Sequence, residues 1–302
     1  MKILFASTIE SRDRWIPLLE NALPQDQFVL EPEADIDVVL VAKPPAGTFE
    51  RLPDLKLVQS LWMGVEALLA DPSLPRHVPL ARLLDPGMIA AMTETVLAHA
   101  LDWHRHHFRY RAHQAERRWE QLPQVLAGER TIGVLGLGEL GAAAAQALSA
   151  RGFGVLGWSR RPRQLEGVEC LTELTEVLGR SGLVVCLLPL TPQTRAILDA
   201  NAFAHMPEGA CLVNVSRGAH VVEHDLRAAL DSGWLTHAYL DVFETEPLPA
   251  DHPFWRHPRV TLTPHVAALT EPRTSVPKIV ENIDRLRRGE RPEGLVDRAA
   301  GY

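Results

Sequence analysis

Cysteine is scarce in this chain, and what there is lies far apart. Cys170, Cys186 and Cys211 are its three cysteines in 302 residues, and no CxxC pair marks a redox motif or a zinc knuckle. Cys186 and Cys211 fall inside apolar runs and read as buried thiols, which points to a reducing compartment and an expected cytoplasmic location. Long hydrophobic runs are missing too. Nowhere do about 18 apolar residues stand together, and the run over residues 3–6 is too short for a signal-peptide core, so no membrane segment is expected. Positive charge is in deficit: a net charge of −7 argues against broad binding of nucleic acid or anionic membrane, both of which need clustered cations. There is no internal repeat and no low-complexity tract. With 46% hydrophobic and 23% charged residues, the chain reads as ordinary globular protein with one large or two moderate cores.

What the chain does have is a glycine-rich run near its middle, Thr131-Ile-Gly-Val-Leu-Gly136-Leu-Gly138-Glu139-Leu140-Gly141. An apolar, β-rich stretch leads into an alanine-rich helical one, the pattern of a dinucleotide-binding turn. Gly136 permits the tight strand-to-helix turn, Gly138 lets the backbone approach a pyrophosphate, and Gly141 lets helix pack on strand. The helix start then offers free N–H groups to the anion. About 130 residues precede this motif, enough for a separate small domain.

The organisation is α/β throughout. Residues 2–6, 38–42, 57–60 and 79–83 read as short strands, residues 9–22 have helical spacing, and Asp71-Pro72 and Asp85-Pro86-Gly87 mark turns. A long helix is expected from Ile89 toward Trp119, with Met92, Val96, Ala100 and Trp103 on one stripe. Beyond it, residues 131–135, 154–158, 183–188, 211–215, 236–240 and 260–263 are six strand candidates separated by helices, which predicts a doubly wound parallel sheet. The final amphipathic segment, residues 275–288, is placed to return to the first domain.

In an open parallel sheet, ligands bind outside the carboxyl ends of the strands, so residues just after strands carry the information. Arg217 follows one strand in Asn214-Val-Ser-Arg217-Gly, Glu246 follows another in Asp241-Val-Phe-Glu-Thr-Glu246-Pro-Leu-Pro, and His265 follows a third in Thr263-Pro-His265. One basic, one acidic and one imidazole group thus arrive at the edge that bears the glycine turn. Singly, each could be a capping, turn or loop residue, and Glu244 competes with Glu246, which is preferred for its spacing to Pro247. His104, His106, His107 and His113 invite a metal reading, but arginines surround them and no cysteine or close carboxylate completes a ligand set, so no metal is expected.

With these motifs in this order the chain resembles the D-isomer-specific 2-hydroxyacid dehydrogenase family, over most of its length. Further matches are Leu61-Trp62-Met63-Gly64-Val-Glu and Asp85-Pro-Gly-Met. Within the family they resemble the branch that reduces small 2-oxo acids such as glyoxylate and hydroxypyruvate to D-2-hydroxy acids. The resemblance implies two Rossmann-like α/β domains with the active site in their cleft. A smaller flavodoxin-like substrate domain would come from residues 1–87 and 267–302, and a dinucleotide-binding domain from residues 88–266. It implies a homodimer joined through the nucleotide-binding domains.

By the same resemblance, Arg217 would anchor the substrate and His265 would be the general acid, supported by Glu246. Asp241 would hold the nicotinamide carboxamide, and Leu188, Pro189, Val215, Ser216 and Ala267 would join Glu139 and Leu140 around the cofactor. The backbone of Trp62, Met63 and Gly64 would hold the substrate carboxylate, with Trp62 either narrowing the pocket or packing in the core.

The second strand of the nucleotide domain ends in Trp158-Ser159-Arg160-Arg161-Pro-Arg163, without the carboxylate that binds an NAD ribose. Ser159, Arg160 and Arg161 therefore read as a 2′-phosphate site favouring NADP(H), with NAD(H) the lesser option and a surface arginine the alternative. A cofactor-binding regulator on the same fold, or a reductase for a larger 2-oxo acid, are the rival functions.

Overall fold

The computed structural model describes residues 1–301, which divide into two compact units: Met1–Met88 with the segment from Leu269 onward, and Ile89–Ala268. The first unit holds β1 (Lys2–Ser7), α1 (Arg12–Ala22), β2 (Gln27–Val29), β3 (Val38–Ala42), β4 (Leu57–Ser60), α2 (Glu66–Leu69) and β5 (Leu80–Ala81). Its sheet is parallel in the order β2-β1-β3-β4-β5, the flavodoxin-like arrangement. β3 is buried at every position, because both faces of the sheet are covered. On one face Ile3, Phe5, Leu40 and Leu57 pack with Trp15 and Leu19 of α1 and with Val276, Ile279 and Ile283 of the C-terminal helix, Pro272–Arg287. On the other, Leu4, Val39, Val41 and Val58 meet Phe49, Leu68 and Val78. The last helix thus joins the N-terminal sheet as its amphipathic pattern predicts. It begins three residues before the expected start, with Pro272 in its first turn and the Glu271 carboxylate accepting from Arg273 N at 3.2 Å.

The second unit continues α3 (Pro86–His104) and holds α4 (His107–Ala115), β6 (Thr131–Leu135), α5 (Glu139–Ser149), β7 (Gly154–Trp158), β8 (Glu169–Leu171) and α6 (Leu174–Arg180). β9 (Leu183–Cys186), α7 (Ala200–His205), β10 (Ala210–Asn214), α8 (Glu223–Asp231), β11 (Leu235–Leu240) and β12 (Val260–Leu262) complete it. The parallel sheet runs β12-β11-β10-β9-β6-β7-β8, doubly wound about the β6–β9 pair. It has seven strands where six were expected. β8 is a three-residue edge strand whose burial leaves little apolar signal. The single helix expected from Ile89 toward Trp119 is two helices. His106 adopts a left-handed conformation (φ 59°) that ends α3, and α4 stops at Ala115. Residues 118–126 have no regular structure. Among the described residues no helix is long and apolar enough to cross a membrane.

Candidate active site

The turn after β6 has the geometry its glycines imply. Gly136 lies at φ +94°, and a β-carbon there would stand 2.7 Å from Leu187 O. One on Gly141 would stand 1.8 Å from Gly136 O, so α5 packs on the turn only because that atom is missing. Around Gly138 the direction of a side chain is open, with nothing within 4 Å, the clearance a pyrophosphate would need at the start of α5. Glu139 is the first residue of that helix and Leu140 packs against the core behind it. Gly136 N donates to Trp158 O at 3.0 Å, tying the turn to the end of β7. There Ser159 Oγ donates to Arg161 O at 2.7 Å, and Arg160, Arg161 and Arg163 are exposed. Leu188, Val215, Ser216 and Ala267 are buried beyond the ends of β9, β10 and β12, and Pro189 O accepts from Thr194 Oγ1 at 2.7 Å.

Arg217 is carried on a turn that the end of β10 builds. Asn214 Nδ2 donates to Arg217 O at 3.0 Å, His220 N donates to the same oxygen at 3.2 Å, and the Arg217 guanidinium donates through Nη1 to Ser216 O at 2.7 Å. Beneath it, Ser216 Oγ lies 2.9 Å from both Asn214 Oδ1 and His220 Nδ1. Asn214 and the fully buried His220 hold the backbone of Arg217, and the sequence reading did not single them out. The sequence signal was Asn214 itself, a short polar side chain at the last position of a buried strand. The thiol of Cys186 sits 3.2 Å from Ser216 Oγ. Burial pushes that thiol's pKa up, and pushes Cys211 up to about 12, so neither is a ready nucleophile.

Glu246 and His265 meet directly. His265 Nδ1 lies 2.7 Å from Glu246 Oε2, while Glu246 Oε1 accepts from Phe243 N at 2.9 Å. Both carboxylate oxygens are engaged, and the ring is fixed with Nε2 as its outward nitrogen. The Glu244 backbone amide donates to Glu223 Oε1 at 3.3 Å, and of the two candidate carboxylates it is Glu246 that meets the imidazole. His265 is in the left-handed region at φ 54°, a conformation a histidine adopts only at a cost. Asp241 supplies the compensation: His265 N donates to its carbonyl at 2.8 Å, and Thr263 Oγ1, Val266 N and Ala267 N donate to its carboxylate at 2.5, 2.9 and 2.9 Å. The carboxylate that resemblance assigns to the nicotinamide is also the anchor of the histidine loop.

In the first unit, Trp62 packs partly against the core and its indole donates to Glu10 Oε1 at 2.9 Å. Trp62 N donates to Ser60 Oγ at 3.0 Å and Trp62 O accepts from Leu83 N at 3.0 Å, leaving the half-exposed Met63 and Gly64 next in the loop. The histidine-rich segment is dispersed: His104 stacks edge-on to Phe153, His113 to Tyr110, and His106 lies against Pro123 O.

Residues 97–267 match the model of the D-isomer specific 2-hydroxyacid dehydrogenase, NAD binding domain. The chain is 42% identical over 313 aligned residues to the glyoxylate/hydroxypyruvate reductase A of Serratia proteamaculans, covering 100% of both chains. Among solved structures it is similar to a D-isomer specific 2-hydroxyacid dehydrogenase from Xanthobacter autotrophicus in complex with NADPH and MES. There the TM-score is 0.96 and the identity 44%, over 100% of this chain and 99% of that one. It is likewise similar to an NADPH-dependent glyoxylate/hydroxypyruvate reductase from Sinorhizobium meliloti in complex with NADP and sulfate, with TM-score 0.94 and 37% identity over 100% and 99% of the two chains.

Proposed function

The chain belongs to the D-isomer specific 2-hydroxyacid dehydrogenase family, and from that premise we propose that it is an NADPH-dependent reductase of small 2-oxo acids, glyoxylate or hydroxypyruvate, giving the D-2-hydroxy acid. The observation that carries this reading is the 2.7 Å contact between His265 Nδ1 and Glu246 Oε2. Reduction of a carbonyl needs a proton at oxygen as hydride reaches carbon, and the bound dinucleotide supplies the hydride. His265, with Nδ1 on the carboxylate, keeps Nε2 as the proton donor, and Glu246 sets the orientation of the ring. Arg217 presents a planar fork of donors to the substrate's carboxylate and carbonyl oxygen. Its backbone is held by Asn214 and His220.

The open approach at Gly138 and the start of α5 fit a pyrophosphate, and Ser159, Arg160 and Arg161 fit a 2′-phosphate. Leu188, Pro189, Val215, Ser216 and Ala267 would form the remaining wall, with Asp241 both anchoring the histidine loop and receiving the carboxamide. In the first unit, the Trp62–Met63–Gly64 loop is the proposed substrate element, through the backbone amides of Met63 and Gly64, since that of Trp62 is given to Ser60 Oγ. The assembly proposed is a homodimer through the dinucleotide-binding unit. Trp119, 98% exposed, and Leu126, 75% exposed, lie on or beside its irregular stretch and are apolar surface suited to a second copy. The proposed setting is the cytoplasm, where the three free thiols stay reduced.

The test is the loss of NADPH absorbance when glyoxylate is added to the purified protein, with hydroxypyruvate and larger 2-oxo acids in parallel. Arg217→Lys should lower kcat/KM on the order of a hundredfold, since one ammonium cannot reproduce the fork. Absence of NADPH oxidation with every 2-oxo acid would point to the regulatory alternative.

A further inference from the structure

Glu10 joins the core of the first unit to the loop that bears Trp62. It lies after β1, where its amide donates to Ser7 Oγ at 2.8 Å, and Ser7 Oγ in turn donates to Ala42 O at 2.7 Å at the end of β3. Its carboxylate accepts two indole N–H groups, one on each oxygen: Trp15 Nε1 on Oε2 at 3.0 Å and Trp62 Nε1 on Oε1 at 2.9 Å. Trp15 is fully buried in α1, so its N–H needs an acceptor wherever the fold puts it. That requirement accounts for one oxygen and would be met equally by an amide. Trp62 is only half-buried, and water could take its N–H. The second bond therefore does something burial does not demand: it fixes the plane of a large ring that is already held by its backbone at Ser60 Oγ and Leu83 N.

The place is suited to a ligand. In the order β2-β1-β3-β4-β5, chain progression reverses between β1 and β3. Open parallel sheets bind ligands beyond the strand ends at such a point. Glu10 follows β1 there, and Trp62 follows β4 at the same carboxyl edge.

We propose that Glu10 is a specificity-determining positioning residue, clamping the Trp62 indole to Trp15 so that the ring limits the room for the side chain of the 2-oxo acid. This rests on the reductase reading above. Glu10 itself touches no substrate; it acts through Trp62. An isosteric amide cannot replace it, because Gln offers one acceptor oxygen and turns an NH2 donor toward the other indole N–H.

Three proteins, Glu10→Gln, Trp62→Phe and the double variant, are compared with wild type as full-length enzymes. The readouts are KM and kcat for glyoxylate and for a branched five- or six-carbon 2-oxo acid, KM for NADPH, melting temperature, and acrylamide quenching of tryptophan fluorescence without substrate. Each single variant is expected to raise the kcat/KM ratio of branched acid to glyoxylate roughly tenfold, mainly through KM, with KM for NADPH unchanged. The double variant should show no further gain, because both changes break one bond. The quenchable emission that Trp62→Phe removes should grow in Glu10→Gln. Unchanged specificity in Glu10→Gln beside an active wild type overturns the proposal, as does a fall in melting temperature with no change in the KM pattern. If wild type turns over no 2-oxo acid, the reductase reading falls by itself and the quenching comparison still decides whether Glu10 holds Trp62; equal quenching then overturns the clamp as well.

Discussion

Gly218 and Phe243 meet backbone to backbone: a β-carbon on Gly218 would stand 1.9 Å from the Phe243 carbonyl carbon and 2.1 Å from its oxygen. The contact presses the turn bearing Arg217 onto the segment bearing Glu246, whose Oε1 accepts from that same Phe243 through its amide at 2.9 Å. Arg217, Glu246 and His265 come from three strand ends, and this approach, together with the Asp241 anchor, gives them one fixed geometry.

Gly218→Ala should therefore disrupt more than a surface turn. The neighbours are main chain and cannot rotate away, so overpacking of about 1–3 kcal/mol is expected. A displacement of the Arg217 turn by about 1 Å should cost kcat/KM on the order of a hundredfold. Melting temperature and glyoxylate kinetics measure both. A variant matching wild type in both would remove the contact from any role in holding the site together.

If His265 delivers the proton and Glu246 holds its ring, Glu246→Gln should lower kcat by roughly tenfold to a hundredfold with little change in KM for NADPH, because Nδ1 loses the carboxylate oxygen that orients it at 2.7 Å. His265→Asn should lose most of the activity, since the proton donor itself is gone. Glyoxylate kinetics at saturating NADPH decide the matter: a kcat equal to that of wild type in both variants excludes the pair as the acid system.

Much of this was legible in the sequence because the signals were strong and local. The three glycines of the 136–141 turn, the buried runs of β3, β6 and β9, and the residues following β10, β11 and β12 each follow from one short stretch. What was not legible depended on partners distant in the chain. β2 and β8 are three-residue edge strands whose formation needs a neighbour rather than an apolar pattern of their own. The break at His106 is a left-handed residue with no glycine to announce it. The choice of Glu246 over Glu244 had only the spacing to Pro247 behind it in the sequence, and Glu10 could not be read as a site residue, since its two indole partners lie 5 and 52 positions away.

A buried histidine outside the site gives a stability prediction. His237 on β11 is 4% exposed, with Nε2 2.9 Å from Thr261 Oγ1 and its ring beside Phe108 and Tyr239. Burial, with smaller contributions from Arg111, His257 and His99 against the opposing pull of Asp102, brings its pKa down from 6.5 to about 4. The unfolded chain thus takes up the proton first. Stability is complete above pH 6.5 and declines as pH falls toward 4, by at most about 3 kcal/mol from this group. His237→Gln keeps a hydrogen-bonding end for Thr261 without the titration, so its melting temperature should fall less between pH 6.5 and 4. Parallel curves for the two proteins would show that the acid sensitivity arises elsewhere.

The proposed cofactor choice rests on residues 159–161, where no carboxylate follows β7. A 2′-phosphate carries close to two negative charges, so a guanidinium facing it should favour NADPH by roughly 1.5–3 kcal/mol, or about tenfold to a hundredfold in KM. The Ser159 hydroxyl, which gives its hydrogen to Arg161 O at 2.7 Å, still has lone pairs for a donor but places no charge against the phosphate. An Asp there would repel the phosphate and accept from a ribose 2′-hydroxyl instead. The double variant Ser159→Asp with Arg160→Ala should weaken NADPH strongly and improve NADH, with little change in KM for the 2-oxo acid, which reacts at the far end of the cofactor. Arg160→Ala alone is expected to do less, because Arg161 and Arg163 are exposed beside it and can swing toward the phosphate. KM values for both cofactors in wild type and double variant settle the point; equal use of NADH and NADPH by the wild type would reduce these arginines to surface charge.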